Sequence, residues 1–391
     1  MAGTLKKIGD NKWLVRVYLG RDEKGKVKHF NKTIHGNKKV AQTFLNRKVT
    51  EQDTGILIKP STETLNVHLS EWQKVVVSSN VRPRTADSYE SLINSHIRNG
   101  IGKKRLIDLK VLDVEKLYAK MIADGYSPKT VRHVHNVLSS AFEKAIDWEK
   151  LHSNPCKRVR LPKLRRCEMK FFTQDEAVQF LEAAKEDRFY ALFLLATTTG
   201  MRPEEYLALK WSDIDFKRRV LYVRRVLIPV KGGGFVFDKP KTSKSERQIE
   251  FRDTALNALK AHKMAQLKEI HASKGMYQDN DLVFASIAGT PVQHRNLDRR
   301  HFKKIIESAN RKIDEANEKL INKLPLLPVI RLYDLRHTAS TLMLLAGVNI
   351  KAISGQLGHA SSVLTLDTYS HITPSMQEDS ANRMERLMFG T

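Results

Sequence analysis

The first sixty residues alternate apolar and polar side chains. Two such runs are Trp13–Leu19 and Lys26–Phe30, separated by a turn centred on Gly25. Because alternation with a period of two gives a strand one apolar face, these runs predict a half-buried β-hairpin. From Asn37 the spacing becomes helical, which predicts a helix packed on the hairpin. Its expected core positions are Val40, Ala41, Phe44, Leu45 and Val49.

Between about residues 65 and 161, apolar residues recur at the 3.6-residue period of amphipathic helices. Four helices are predicted, and the first two begin near Leu65 and after Pro83. Asp113 is the expected N-cap of the third helix, which runs to Ala123. The fourth begins at Ser127-Pro128, where a hydroxyl cap and a first-turn proline suit a helix start. This pattern by itself indicates only a small helical bundle.

The remaining sequence is mostly helical in pattern. Thr173-Gln174-Asp175-Glu176 has the order of a capping box ahead of an apolar helix. Three short strand-like runs follow, at Val220–Val223, Phe235–Phe237 and Arg247–Phe251. They predict a small antiparallel sheet within a largely helical region.

Two linker-like segments, Gly55–Thr64 and Lys157–Arg166, divide the chain. At 391 residues the chain is too long for one ordinary hydrophobic core. We therefore expect three domains, at residues 1–58, 62–160 and 168–391.

The chain is strongly basic. It has 68 Lys and Arg residues against 43 Asp and Glu, a net charge of +25, while 41% of its residues are hydrophobic. That apolar content is enough for folded cores, and a folded protein of this charge most often binds a polyanion, with nucleic acid the first candidate. Residues 1–60 alone carry fourteen Lys and Arg against five Asp and Glu. This excess favours a DNA-binding role over a merely solvated sheet face.

Several other classes of function are disfavoured. Cys156 and Cys167 are too few for a disulfide scaffold or a tetrahedral zinc site. His133 and His135 fall on different faces of a predicted helix and make a poor metal pair. The longest apolar run, Phe189–Ala196, is far too short to cross a bilayer. We expect no metal, no cofactor and no membrane association.

An arginine lies at a predicted helix start in Gly200-Met201-Arg202-Pro203. Proline suits the first helical position, so Arg202 lies where the backbone amides and the helix dipole favour an anion. Glu205 follows one turn later and can orient the guanidinium. An isolated arginine in this position is more often a surface residue than a ligand.

A second group of reactive side chains lies further along. Leu335-Arg336-His337-Thr338 is followed by Leu357-Gly358-His359 and then by Asp367-Thr368-Tyr369. Two arginines, a histidine and a tyrosine suit the stabilisation of a pentacoordinate phosphate while a phenolate attacks it. Because a free phenol has a pKa of about 10, Tyr369 needs a positive field in order to react as phenolate.

Lysines fill the turn between two predicted strands, Lys239-Pro240-Lys241-Thr242-Ser243-Lys244. A lysine on such a hairpin can protonate a departing oxygen or neutralise its developing charge. By position, Lys239, Lys241 and Lys244 are all candidates.

Taken in order, these motifs resemble those of the tyrosine recombinases, and most closely the integrases of temperate phages and conjugative transposons. The resemblance implies that Arg202 and Arg336 clamp a scissile phosphate. It makes Lys241 the preferred hairpin lysine, because the family places a lysine before threonine there. It also implies that His359 donates a hydrogen bond to the phosphate and that Tyr369 is the nucleophile.

One position departs from the family pattern. The family usually has histidine or lysine three residues before the second arginine, where this chain has Tyr333. A phenol can donate a hydrogen bond to a phosphate oxygen, but it does not accept a proton at neutral pH as imidazole does. We expect Tyr333 to line the site and leave the identity of the general base open.

The resemblance covers essentially the full chain and implies a multidomain α+β protein. Residues 1–58 resemble an arm-type DNA-binding domain, a three-stranded sheet with a helix. Residues 62–160 resemble the helical core-binding domain. Residues 168–391 resemble the catalytic domain, which is mostly helical with a small antiparallel sheet.

The implied activity is site-specific recombination through a 3′-phosphotyrosine, which integrates and excises a mobile element without metal or ATP. The implied partners are double-stranded DNA at arm and core attachment sites, a homotetramer of this chain on DNA, an excisionase and a DNA-bending host factor. The implied location is the cytoplasm of a bacterial host.

Two alternatives stay open at this point. A type IB topoisomerase would use the same residue types without joining two duplexes, although the basic N-terminal hairpin and the sequence after Tyr369 argue against it. A DNA-binding regulator with a decayed active site is the other alternative, and Tyr333 is its only support. Joining of two duplexes would distinguish the first, and strand cleavage would eliminate the second.

Overall fold

The computed structural model describes residues 3–21, 25–53, 61–164, 169–230, 232–240, 245–318, 323–358, 384–385 and 388–390. They belong to two compact units, Met1–Arg166 and Cys167–Thr391. The first unit contains, in chain order, β1 (Gly3–Gly9), β2 (Lys12–Arg21), β3 (Val27–His35), α1 (Lys38–Asp53), α2 (Leu65–Trp72), α3 (Ser78–Asn80), α4 (Pro83–Leu92), α5 (Arg98–Gly100), α6 (Val111–Ala123) and α7 (Pro128–Asp147). The second contains α8 (Gln174–Ala184), α9 (Tyr190–Thr199), α10 (Pro203–Tyr206), β4 (Ile214–Asp215), β5 (Val220–Val223), β6 (Val226–Pro229), β7 (Phe235–Asp238), β8 (Arg247–Glu250), α11 (Asp253–Ala272), α12 (His294–Leu297), α13 (Lys303–Asn317), α14 (Asp334–Leu345) and α15 (Ile350–Leu357).

A three-stranded antiparallel sheet, in the order β1-β2-β3, begins the first unit, and α1 packs on one of its faces. Val15 and Val17 of β2 are fully buried there, together with Leu45 of α1. The predicted hairpin and helix are therefore confirmed. Val40, which was expected in the core, is 51% exposed, because the buried face of α1 passes through Ala41 and Leu45 instead.

The helical part of the first unit has its own hydrophobic core. The four predicted helices are confirmed, since π-helical turns at Gln73–Val77 and Ile93–Ile97 join α2 to α3 and α4 to α5. Ser127 caps α7, because its hydroxyl accepts from the backbone N–H of Thr130 at 3.1 Å. The unit thus holds two separate apolar clusters, while its division into two domains stays a prediction.

Asp113 is not the N-cap of α6, contrary to expectation. The helix begins at Val111, and Asp113 is its third residue. The Asp113 carboxylate accepts from the backbone N–H of Lys110 at 3.1 Å. This is the backward contact of a capping box, in which an acidic side chain satisfies the amide ahead of the helix. The aspartate stabilises the predicted start, but from inside the helix.

The second unit has two small antiparallel sheets within a mainly helical structure, so the predicted fold class is confirmed. One sheet has the order β4-β5-β8, and the other is the hairpin β6-β7. The three predicted strands are β5, β7 and β8, while β4 and β6 were missed. β4 has only two residues and so cannot display a period, and β6, Val226–Pro229, is apolar along its whole length and ends in proline.

Helix α9 lies in the core of the second unit. Its residues 191–197 are all buried, as expected for a helix that is apolar on every side. Among the described helices of both units, none is long and apolar enough to cross a membrane.

Candidate active site

The turn between α9 and α10 positions Arg202. Gly200 ends α9 in the left-handed region, with φ of +68°. A Cβ at Gly200 would lie 2.4 Å from the Cδ2 atom of Leu357, so only glycine allows this close approach. Pro203 then begins α10 and leaves Arg202 as the residue just before the helix, as predicted.

Glu205 holds the Arg202 guanidinium, as the sequence suggested. Nη1 of Arg202 donates to Oε1 of Glu205 at 2.8 Å, and the Arg202 backbone N–H donates to Oε2 at 2.8 Å. The guanidinium also donates to two backbone carbonyls at the end of α15, from Nη1 to Leu357 at 3.4 Å and from Nη2 to Gly358 at 3.3 Å. Arg202 is therefore fixed at both its backbone and its side chain.

Arg336 lies in the first turn of α14 and is 3% exposed. Its Nη1 donates to the carbonyl of Gly200 at 2.6 Å, and its Nη2 donates to the carbonyl of Leu357 at 2.7 Å. Burial, with the positive charge of Arg202, lowers the pKa of the Arg336 guanidinium to about 10. That pKa remains well above neutrality, so Arg336 stays charged.

The carbonyl oxygen of Leu357 joins the two arginines. It accepts from Arg202 and from Arg336, which are far apart in the sequence. The last carbonyls of a helix lack partners within the helix and carry the negative end of its dipole, so α15 offers a suitable acceptor to both guanidiniums. Three helix ends thus bring Arg202 and Arg336 to one place.

A third arginine, Arg247, was missed by the sequence analysis. Its Nη1 and Nη2 donate to the two carboxylate oxygens of Glu205 at 3.0 and 2.9 Å. Burial would raise the pKa of the Glu205 carboxyl, but the hydrogen bonds and charge of Arg247, together with Arg202, outweigh burial and lower that pKa. A signal was present in the strand, because Arg247 shares the face of Ile249 and Phe251, both buried.

Tyr333 immediately precedes α14 and is 38% exposed. Its ring packs edge-on against His337, with the ring centroids 5.7 Å apart. Burial lowers the pKa of His337, so this imidazole is neutral at pH 7. The start of α14 is fixed by Asp334, whose buried carboxylate pairs with Arg331. Tyr333 thus lies at the surface of the turn that holds Arg336.

The other predicted site residues lie outside the described part of the chain. They are Lys241, its alternative Lys244, His359 and Tyr369. Lys239, the other alternative, follows β7, and its backbone N–H donates to the side chain of Asp238. Gly358 ends α15 with φ of +64°, so the predicted helix stop just before His359 is confirmed.

The described residues include no group of three His, Cys, Asp or Glu side chains placed to hold a metal ion. Cys156 is buried, with its sulfur 3.9 Å from the hydroxyl of Tyr118. Burial raises the pKa of the Cys156 thiol to about 12, so the thiol is protonated and unreactive at neutral pH. Cys167 lies outside the described ranges.

Comparison with known proteins decides the family. The model of the phage integrase family matches residues 170–376, more than half of the chain. The chain belongs to the phage integrase family. A second model, the N-terminal SAM-like domain of phage integrases, matches residues 64–122 of this integrase. The resemblance seen in the motifs is therefore confirmed, and the protein is a DNA strand-exchange enzyme of the tyrosine recombinase type.

Relatives of this integrase extend over most of its length. It is 29% identical to a tyrosine recombinase XerC-like protein of Caldanaerobacter subterraneus subsp. tengcongensis, over 97% of both chains. It is 27% identical to the ICEBs1 integrase of Bacillus subtilis, over 78% of this chain and 79% of the relative. It is 25% identical to the transposase of transposon Tn916 from Enterococcus faecalis, over 75% and 71%.

Solved structures share the fold. The integrase of transposon Tn1549, bound to a circular intermediate DNA, superposes with a TM-score of 0.66 at 21% identity, over 82% of this chain and 99% of that one. A lambda integrase tetramer bound to a Holliday junction superposes with a TM-score of 0.54 at 20% identity, over 91% and 92%.

Proposed function

We propose that this integrase is a site-specific recombinase that cuts and rejoins DNA through a 3′-phosphotyrosine at Tyr369, without metal or ATP. The observation that carries the proposal is the convergence of Arg202 and Arg336 on the carbonyl of Leu357. Paired guanidiniums suit the planar, bidentate recognition of phosphate oxygens. The substrate is a phosphodiester in duplex DNA, and the product of integration or excision is a rejoined duplex.

The charge balance of the cluster favours a transition state more negative than the substrate. Three guanidiniums, of Arg202, Arg247 and Arg336, surround the single carboxylate of Glu205 and leave an excess of two positive charges. A phosphodiester carries one negative charge, and attack by a phenolate adds a second at the pentacoordinate stage. Fixed donors stabilise such developing charge strongly because they need little reorganisation.

The reaction takes place in two balanced steps. In the first, the Tyr369 phenolate oxygen bonds to phosphorus and the bond from phosphorus to the 5′ oxygen breaks. Lys241 provides a proton to that oxygen, which leaves as a 5′-hydroxyl. In the second step, the 5′-hydroxyl of a partner strand attacks the phosphotyrosine and gives its proton to Lys241. The bond from phosphorus to the Tyr369 oxygen breaks, and the phenolate is released. Since one phosphoester replaces another, no ATP is required.

Two further residues complete the proposed site. His359 donates a hydrogen bond to a nonbridging oxygen, and Tyr333 lines the site at the start of α14. Lys239 and Lys244 remain alternatives to Lys241. The exposure of Tyr333 supports a contact with the substrate rather than a packing role.

We extend the proposal to assembly on DNA. Residues 1–58 bind arm sites, residues 62–160 bind core sites and residues 168–391 catalyse, so one chain attaches to DNA at two places. A homotetramer carries out strand exchange, assisted by an excisionase and a DNA-bending host factor, in the cytoplasm of a bacterial host. The lambda integrase tetramer on a Holliday junction offers a model for this arrangement.

The test uses overlapping duplexes that cover the flanks of the integrase gene, incubated with protein in EDTA and run on a denaturing gel. We expect the wild type to form a covalent protein–DNA band and the Tyr369→Phe variant to form none, although both bind DNA on native gels. The loss should be complete because phenylalanine has no nucleophilic oxygen.

A covalent band from Tyr369→Phe would contradict the assignment of the nucleophile. Tight native binding without any wild-type band would favour the decayed regulator. A wild-type band without joining of two duplexes would favour a topoisomerase.

A further inference from the structure

We infer that Arg247 is a positioning residue for strand cleavage, because one guanidinium connects three segments of the catalytic site. The inference rests on the proposed function. Arg247 begins β8, and its side chain is 7% exposed. Such burial excludes extensive contact with DNA, so any effect of Arg247 on cleavage has to be transmitted through its neighbours.

The contacts of Arg247 reach all three segments. Toward α10, it forms the paired hydrogen bonds with Glu205 at 3.0 and 2.9 Å. Toward α15, Nε donates to the carbonyl of Gln356, and a Cβ at Gly358 would lie only 3.0 Å from Nη1. Toward the lysine-bearing turn, Nη1 donates to the carbonyl of Ser245 at 3.1 Å. These are the segments that lead to Arg202, to His359 and to Lys241.

The link to Arg202 passes through Glu205. The Glu205 side chain is 1% exposed, and its Oε1 accepts from both Arg202 and Arg247. Two parallel hydrogen bonds from one planar guanidinium fix the rotation of a carboxylate as well as its position. Without them, Glu205 can rotate, and the Arg202 guanidinium loses the group that orients it.

Lysine cannot replace this arrangement. The guanidinium of Arg247 serves the acceptors of Glu205, Gln356 and Ser245 from one plane. An ammonium is a single point of charge at the end of a flexible chain, and it cannot form the same paired contact. Arg247→Lys therefore keeps the charge while removing the geometry.

The chain offers a matched control in Arg188 and Glu269. Arg188 donates from Nε and Nη2 to the two carboxylate oxygens of Glu269 at 2.7 and 2.6 Å, and from Nη1 to the carbonyl of Ala285 at 2.7 Å. This pair also joins one guanidinium to both oxygens of a carboxylate in the same unit, although through Nε and Nη2 rather than Nη1 and Nη2. Its hydrogen bonds reach neither Arg202 nor Arg336. Arg188→Lys thus measures the effect of losing a paired arginine–carboxylate contact outside the proposed site.

The experiment measures single-turnover formation of the covalent adduct, DNA affinity and melting temperature for full-length wild type, Arg247→Lys and Arg188→Lys. We expect Arg247→Lys to bind DNA as the wild type does but to cleave about 100-fold more slowly, the loss typical of a misplacement of about 1 Å. Arg188→Lys should cleave at close to the wild-type rate, even if its melting temperature falls as much as that of Arg247→Lys.

A double-mutant cycle tests transmission through Glu205. If Arg247 acts by orienting Glu205, then Arg247→Lys combined with Glu205→Gln should cleave no more slowly than Glu205→Gln alone, since contacting residues in one network are not additive. Losses that multiply in the double variant would show that Arg247 acts independently of Glu205 and would overturn the inferred link to Arg202.

Two other results also overturn it. One is wild-type cleavage by Arg247→Lys, and the other is an equal loss of cleavage in Arg188→Lys. Both leave the proposed function intact, because the wild type still forms its Tyr369-dependent adduct. A wild type that forms no adduct on DNA that it binds would refute the proposed function and this inference together.

Discussion

Two ion pairs in the second unit, Arg247–Glu205 and Arg188–Glu269, have nearly the same hydrogen bonds. In each, a guanidinium donates in parallel to both carboxylate oxygens and also to a backbone carbonyl. They differ in burial, because the Glu205 side chain is 1% exposed and the Glu269 side chain 26%. They differ also in stoichiometry, since Glu205 holds a second arginine, Arg202.

The difference shows how a structural contact can become part of a reactive site. Arg188 and Glu269 neutralise one another, so the pair serves to hold α11 in place. Glu205 is outnumbered by guanidiniums, and the remaining positive charge is what an incoming phosphate would meet. A buried ion pair is therefore weak evidence of function. What sets Glu205 apart is that its second partner, Arg202, meets Arg336 at the carbonyl of Leu357.

The largest expected effect on cleavage comes from neutralising Glu205 and is absent when Glu269 is neutralised. Glu205→Gln should lower the rate of adduct formation by about 100-fold or more, because it loosens Arg202, the proposed donor to the transition state. Glu269→Gln should leave that rate close to the wild-type value and lower only thermal stability. The rates would be measured in single turnover on the same duplex.

The Glu205 variant should also unfold more readily, since removing one partner of a buried pair costs about 3–5 kcal/mol. Measurements below the melting temperature of both variants separate catalysis from folding. Equal cleavage by Glu205→Gln and Glu269→Gln would remove the distinction between the two pairs.

A middle-sized effect is expected from the backbone beside Arg247. Gly358→Ala forces a non-glycine residue to adopt φ of +64° and brings a methyl group to 3.0 Å from the guanidinium. The left-handed backbone conformation alone should lower the free energy of unfolding of the alanine variant by about 1–2 kcal/mol. Cleavage should fall as well, because Arg247 is displaced from Glu205.

Gly355→Ala is the matched control in α15. A Cβ there meets no atom within 4 Å, and alanine inside a helix is favoured over glycine by about 0.5–1 kcal/mol. Chemical denaturation should therefore show opposite shifts for the two variants. A Gly358→Ala variant as stable and active as Gly355→Ala would mean that the end of α15 does not constrain Arg247.

The smallest expected effect is a dependence of stability on pH. It should arise near Arg188–Glu269 and not at Arg247–Glu205. His262 is buried in the same electrostatic environment as Arg188 and Glu269, and burial lowers its pKa from 6.5. In the unfolded chain His262 therefore becomes protonated near pH 6.5, whereas in the folded chain it becomes protonated only at lower pH. His262 stabilises the fold above that pH, and this contribution is lost as pH falls toward the lower folded pKa, by at most about 1.4 kcal/mol per pH unit.

The check compares melting temperatures of wild type and His262→Gln between pH 7.5 and pH 5. Wild type should lose more stability than the variant over this range, and identical pH profiles would contradict the expectation. Glu205 has a lowered pKa and so remains ionised throughout, which should leave its pair insensitive to the same change.

Local signals in the sequence were sufficient for much of the fold. Ser127-Pro128 and the Thr173–Glu176 capping box predicted helix starts correctly, since each depends on neighbouring atoms only. Asp113 was assigned to the wrong cap position because an aspartate can accept from the amide ahead of it or from those that follow. β4 was missed because two residues cannot establish a period.

The candidate site could be predicted only in part, because its residues come from separate segments of the sequence. Arg202 and Arg336 were found through their local motifs, but their meeting at Leu357 depends on three helix ends that the sequence does not relate to one another. Arg247 was overlooked because a charged residue in a short strand usually faces solvent. The alternation of Arg247 with Ile249 and Phe251 signals an inward face, but the pairing of Arg247 with Glu205 is tertiary information.

The carbonyl of Leu357 holds Arg202 and Arg336 close together before any DNA is bound. Two like charges are brought together as the chain folds, and a helix end compensates for part of their repulsion. In the proposed function this repulsion is overcome when the chain folds and not when DNA binds, and the repulsion lowers the net stability of this unit. Variants in which these contacts are weakened should cleave DNA more slowly while they are still folded.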